Sequence, residues 1–89
     1  MAKIYKTDGE IVEVEPKNGV DFSWEELRDI VGGSIEIIFL PNKLVILNEY
    51  GKIKGFPFNE KATMLAKSSI NAGDYIAGNV LVCDRDQIK

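Results

Sequence analysis

Ser34-Ile35-Glu36-Ile37-Ile38-Phe39-Leu40-Pro41-Asn42-Lys43-Leu44-Val45-Ile46-Leu47 holds two strand-length apolar runs around one turn. In the first run Ile35, Ile37 and Phe39 alternate with Glu36, Ile38 and Leu40, the period of two that sends successive side chains to opposite faces of a strand. Pro41-Asn42 gathers turn formers, and the β-branched stretch Leu44-Val45-Ile46-Leu47 resumes the strand character. The segment reads as a β-hairpin, central in the sheet.

Upstream, Lys3–Thr7 and Glu10–Val14 form a second pair of strand-like runs. Asp8-Gly9 joins them, a dipeptide suited to the positive φ of a tight hairpin turn. Glu15-Pro16-Lys17-Asn18-Gly19 then breaks the strand. Ser23-Trp24-Glu25-Glu26 has the spacing of a capping box, so a helix starts at Ser23. Phe22 and Leu27 are placed as a hydrophobic staple, and Trp24, Leu27, Ile30 and Val31 share one helical face. Gly32-Gly33 ends the helix, because glycine accepts the left-handed conformation after a last turn.

Downstream, Asn48-Glu49-Tyr50-Gly51 predicts a turn into a short extended stretch, Lys52-Ile53-Lys54, interrupted by Gly55 and Pro57. Asn59 is a good N-cap for a second helix over residues 60–67, with Ala62, Leu65 and Ala66 on one side. Tyr75 to Cys83 reads as a closing strand bent at Gly78, and residues 84–89 as a polar tail. The resulting expectation is an α+β fold in the order ββαββ(β)αβ. It comprises a mixed, mainly antiparallel sheet of about five or six strands with two short helices on one side.

A chain of 89 residues has room for one core, so residues 1–89 are read as a single domain. Its modest size leaves a homodimer open as a source of further burial. The apolar runs are strand-sized, far short of the roughly 20 residues that span a bilayer, so no membrane segment is expected. One cysteine and no cationic, apolar leader point to a cytoplasmic setting. The net charge of −3 excludes generic nucleic-acid binding, which rests on clustered Lys and Arg. That charge is unevenly spread. Residues 43–67 hold five lysines against Glu49 and Glu60, whereas residues 1–30 hold eight acidic groups against four basic ones.

Three blocks carry a resemblance: Ile30-Val31-Gly32-Gly33-Ser34-Ile35-Glu36, Asn48-Glu49-Tyr50-Gly51-Lys52-Ile53-Lys54-Gly55, and Asp74-Tyr75-Ile76-Ala77-Gly78-Asn79-Val80-Leu81-Val82. Together with Asn59 and Ala62-Thr63, they make the chain resemble a small family of bacterial and phage proteins, domain of unknown function 3846. The resemblance covers nearly the whole chain. It implies a phage or mobile-element setting, in which small proteins often bind host components; a shared fold brings no chemistry with it.

The chain has no histidine, which removes Ser-His and Cys-His catalysis and, with a single cysteine, the usual zinc sites. Cys83 lies in an apolar strand and reads as a small buried hydrophobe. No acidic loop has EF-hand spacing. No cofactor is expected. The constellation closest to chemistry is Asn48, Lys52, Lys54, Asn59 and Thr63. Lysines beside the Asn59 helix start would make a pocket for a small anionic ligand, although the two asparagines serve equally well as turn and cap residues. Tyr50, Phe56 and Phe58 nearby offer aromatic contact to a base or to a partner protein, and equally a cover for the core end. Trp24 reads as a core anchor, and Glu25, Glu26 and Asp29 form a solvated acidic face open to a basic partner. The functional expectation is a non-enzymatic binding protein of phage or mobile-element origin, targeting a host protein or a small anionic ligand. The alternative is an enzyme acting on a phosphorylated or nucleotide substrate through Lys52, Lys54 or Glu49.

Overall fold

The computed structural model describes residues 2–88. In chain order the elements are β1 (Ala2–Tyr5), β2 (Ile11–Val14), α1 (Trp24–Val31), β3 (Ile35–Phe39), β4 (Leu44–Asn48), α2 (Glu60–Ala66) and β5 (Val80–Cys83). Short 3₁₀ turns follow at Lys67–Ser69 and Arg85–Gln87. The α+β class and the five-stranded count agree with the sequence expectation. All four strand pairings are antiparallel, in the order β2-β1-β5-β4-β3.

The central strand is β5, and the β3–β4 hairpin lies at one side with β3 on the edge. Val80 to Cys83 is apolar at every position and fully buried, so the closing strand slots between β1 and β4. Both β4 and β5 are buried throughout, and a strand apolar at successive positions needs cover on both faces. The helices supply it from opposite sides, not from one side as the sequence led us to expect. Leu44, Ile46, Leu81 and Cys83 pack with Leu27 and Val31 of α1, whereas Val45, Leu47, Val80 and Val82 pack with Ala62 and Ala66 of α2.

Helix α1 begins as its sequence predicts. Ser23 Oγ accepts the Glu26 amide at 3.2 Å, Glu26 Oε1 accepts the Ser23 amide at 3.2 Å, and Gly32 at φ 82° closes the last turn. Phe22 and Leu27 are both buried, but Trp24 is 52% exposed and is no core anchor. A side chain at the first helical position leans back past the helix end, away from the sheet.

Four further expectations are corrected. Asp8-Gly9 is not a two-residue turn: Lys6 N donates to Glu10 O at 2.8 Å and Gly9 N to Lys6 O, so the hairpin loop is Thr7-Asp8-Gly9, and of these only Gly9 has positive φ. Lys52-Ile53-Lys54 is no strand, because Lys54 N donates to Tyr50 O and Phe56 N to Gly51 O, which spends the backbone in local turns. The polar tail is tied down. Phe22 N donates to Gln87 O at 2.7 Å, Phe22 and Ile88 form a parallel bridge, and Ile88 packs against the α1-side core. Of the run Tyr75–Cys83, the part before Val80 contributes only an isolated bridge between Ala77 and Phe58.

Candidate functional site

The five residues singled out for an anion pocket do not converge as a set: Asn48 and Lys54 both approach Gly33, and Asn48 and Lys52 both line the hollow described below, but Asn59 and Thr63 lie apart from them. Asn59 is fully buried and caps α2: its Oδ1 accepts the Ala62 amide at 3.1 Å, and its Nδ2 donates to Tyr5 O and Gly78 O at 2.9 Å each. Thr63 Oγ1 donates to Asn59 O at 2.7 Å and accepts the Ile76 amide at 2.9 Å. Both polar side chains are spent inside the fold, fastening α2 to β1 and to the approach of β5. Asn48, also buried, donates from Nδ2 to Val31 O at 3.2 Å and accepts the Tyr50 amide at 2.8 Å. It closes the end of α1 against the end of β4.

The two lysines part company. Lys54 Nζ lies beside Gly33, where an added Cβ would sit 3.2 Å from it, and so faces the negative end of α1. Lys52 Nζ instead pairs with Asp74 Oδ1 and stands 4.8 Å from the centre of the Tyr75 ring. That ammonium, and after it the Tyr75 amide, holds the Asp74 carboxyl below its ordinary value.

The three resemblance blocks meet in space. The Phe56 ring rests against glycine backbone from each one: an added Cβ would lie 3.9 Å from Phe56 at Gly32, 3.5 Å at Gly51 and 2.8 Å at Gly78. At Gly78 the ring occupies the space a side chain would take, and at Gly51 the Ala77 carbonyl does so, 2.9 Å from an added Cβ; at Gly32 the approach is ordinary contact, and the positive φ of 82° is what favours glycine. Phe56 therefore anchors the 49–58 turn to the end of both α1 and the sheet, and it belongs to the scaffold more than to a recognition surface.

Anchored in this way, the turn borders a hollow of about 380 Å³ between the edge strand β3 and the segment after α2. Ile38, Leu47 and Ile76 give it an apolar wall, and Leu47 and Ile76 are buried. Ile53, Tyr75 and the Lys52–Asp74 pair stand at its border with Glu36 and Glu49. Phe58 meets Tyr75 edge-on, with ring centres 5.9 Å apart. Ile53 is 85% exposed, Phe58 53% and Tyr75 41%. Sequence reasoning passed over Glu36, Ile53, Asp74 and Tyr75. The one available signal was that Ile53 and Tyr75 are large apolar residues flanked by charges and turn formers.

Among the described residues no cluster of His, Cys, Asp and Glu could hold a metal ion. Burial, and then the neighbouring Asp84 carboxylate, pushes the Cys83 thiol up to about 11, which leaves almost no thiolate at neutral pH. No helix among the described residues is long and apolar enough to cross a membrane.

No curated protein and no solved structure matches the chain. The family model described as Domain of unknown function (DUF3846) matches residues 3–89, which include all of the sheet except Ala2, both helices and the whole border of the hollow. On that match the chain belongs to the DUF3846 family.

Proposed function

We propose that the protein works without catalysis, as a binding protein that takes a segment of a partner protein into the hollow beside Ile53 and Tyr75. The observation that carries this reading is the exposure of Ile53 on a turn held by its own backbone bonds and by the Phe56 anchor. A large apolar side chain fixed in water gains by burial, and a rigid turn loses little entropy on binding. Ile53 and Tyr75 at the border, with the apolar wall behind them, suit one inserted apolar side chain of the partner.

Charge narrows the partner. Glu36 and Glu49 border the hollow with no ion pair among the described residues, and Asp74 already neutralises Lys52. The complementary segment carries Lys or Arg beside its apolar anchor. These same carboxylates disfavour the small anionic ligand, whose polar contacts at Asn59 and Thr63 are already committed. The resemblance to bacterial and phage proteins makes a host protein in the cytoplasm the expected partner. The alternative, an enzyme on a phosphorylated or nucleotide substrate, has no observation in its favour.

The test is capture from bacterial lysate with the full chain, quantified by mass spectrometry and repeated with Ile53→Asp and with Glu36→Lys/Glu49→Lys. The expected result is a partner whose recovery falls at least about tenfold in each variant, the loss of about 1.4 kcal/mol that marks an anchor. Capture indifferent to both variants, or a thermal shift produced by phosphate or nucleotides, rejects the proposal.

A further inference from the structure

The outer edge of β3 has no strand beside it among the described residues. Glu49 N donates to Ser34 O and Leu40 N to Lys43 O, so in the alternation of an antiparallel ladder Ser34, Glu36, Ile38 and Leu40 turn their backbone groups toward β4. Ile35, Ile37 and Phe39 consequently turn their N–H and C=O groups outward. Such edges are commonly blunted by lysine, proline, a bulge or very short length. β3 has five residues, pairs without interruption, and carries one charge, at Glu36. Phe39 is 62% exposed.

We infer that β3 pairs antiparallel with β3 of a second copy about a twofold axis through Ile37, joining two five-stranded sheets into one. This goes beyond the binding proposal and does not depend on it. The sequence of the strand selects the register. Centred on Ile37, the pairing sets Ile35 opposite Phe39 of the second copy and satisfies all the outward groups with about six backbone hydrogen bonds. Centred on Glu36, it would set two carboxylates directly opposite each other. Centred on Ile38, it would set Ile35 opposite Pro41, which has no N–H to give. Only the first register is free of a defect.

The other edge is unsuited to this role. β2 is shorter and carries Glu13, with Glu10 and Glu15 at its ends, so a second copy there would meet like charge. In the β3 pairing, Phe39 and Ile35 bury each other on the α1 face, while Glu36 and Ile38 stay on the α2 face. The twofold axis stands perpendicular to the sheet. It places both hollows on one face of the dimer, flanking the shared ladder, and so makes the assembly bivalent.

Sedimentation velocity of the full chain up to about 0.5 mM tests the pairing, a range that reaches weak contacts. The expected mass is twice 9.9 kDa. Phe39→Lys, at an exposed position whose ring faces the Arg85 guanidinium at 5.7 Å, returns it to the single-chain value, with circular dichroism confirming the fold. Register is read by oxidation of cysteine variants, because Cys83 is buried and silent. In Ile37→Cys the two Cα atoms stand about 5.5 Å apart, within disulfide reach, and the dimer crosslinks; in Ile35→Cys they stand more than about 10 Å apart and it does not. A single-chain mass over the whole range, a dimer unchanged by Phe39→Lys, or crosslinking through Glu36→Cys in place of Ile37→Cys overturns the inference. Partner capture that survives in Phe39→Lys leaves the binding proposal standing on its own.

Discussion

The Asn48 side-chain amide donates a 3.2 Å hydrogen bond to the Val31 carbonyl, joining the last residue of β4 to the last residue of α1. Residues 31 and 48 thereby close one end of the α1-side core. The Asn48 Oδ1 simultaneously accepts the Tyr50 amide and starts the turn that presents Ile53.

Asn48→Leu keeps the approximate volume but leaves a helix-end carbonyl and the Tyr50 amide without these partners. The expected loss is about 1–3 kcal/mol in urea denaturation. Asn48→Asp should cost more, since its carboxylate faces the Val31 oxygen in place of a donor. Equal stability of wild type and both variants would remove Asn48 from this role.

Gly78 and Gly55 separate backbone strain from crowding. Both have positive φ, 89° and 75°, but an alanine Cβ would approach Phe56 Cδ2 to 2.8 Å at Gly78 and meets nothing within 4 Å at Gly55. Gly55→Ala is expected to cost about 1–2 kcal/mol from conformation alone. Gly78→Ala adds overpacking of about 1–3 kcal/mol. The contrast is read from denaturation midpoints, and a Gly55→Ala loss as large as that of Gly78→Ala would contradict the nesting of Phe56.

These positions mark how far the chain could be read without its fold. The capping box at Ser23 and Glu26, the Gly32 stop and the Asn59 cap depend on residues within four positions, and each forms as its spacing predicts. Sheet order does not work that way. Nothing local tells Val80–Cys83 to lie between β1 and β4, or tells the helices to take opposite faces. The expected anion pocket failed for the same reason, because the amide of Asn59 finds its acceptor in Tyr5, 54 positions away. The hollow joins Glu36, Ile53 and Tyr75, which no sequence spacing relates.

Acid sensitivity follows from two carboxylates. Glu26 accepts from the Lys17 amide at 3.0 Å and from the Ser23 amide, which holds its carboxyl below the ordinary 4.5; Lys52 holds Asp74 below 3.8. The folded state thus binds these protons less readily than the unfolded chain does. Their contribution is present above about pH 4.5 and is lost as pH falls through 4.5 and then through the folded values. Urea midpoints at pH 7, 4.5 and 3.5 should decline for wild type. Glu26→Gln should start lower at pH 7 and decline less steeply; an unchanged slope would refute the role of the capping box.

Cys83 supplies the opposite sign at alkaline pH. Its thiol sits on the α1 face among Leu44, Ile46 and Leu81, and burial is the first cause of its rise to about 11 from the ordinary 9.0. Ionisation is easier in the unfolded chain, so stability is full below pH 9 and falls as pH rises from 9 toward 11. The same burial makes the thiol a reporter of opening, because a reagent that needs thiolate and access reacts only when β5 separates from its cover. At pH 8 the native protein should resist a thiol reagent, and in urea it should react promptly at its single cysteine. Cys83→Ser places an unpartnered hydroxyl in that core and should cost about 1–3 kcal/mol, while Cys83→Ala trades the sulfur for a small void and should cost less. Prompt labelling of the native protein would mean that Cys83 is accessible, and would reopen the nucleophilic chemistry that its burial argues against.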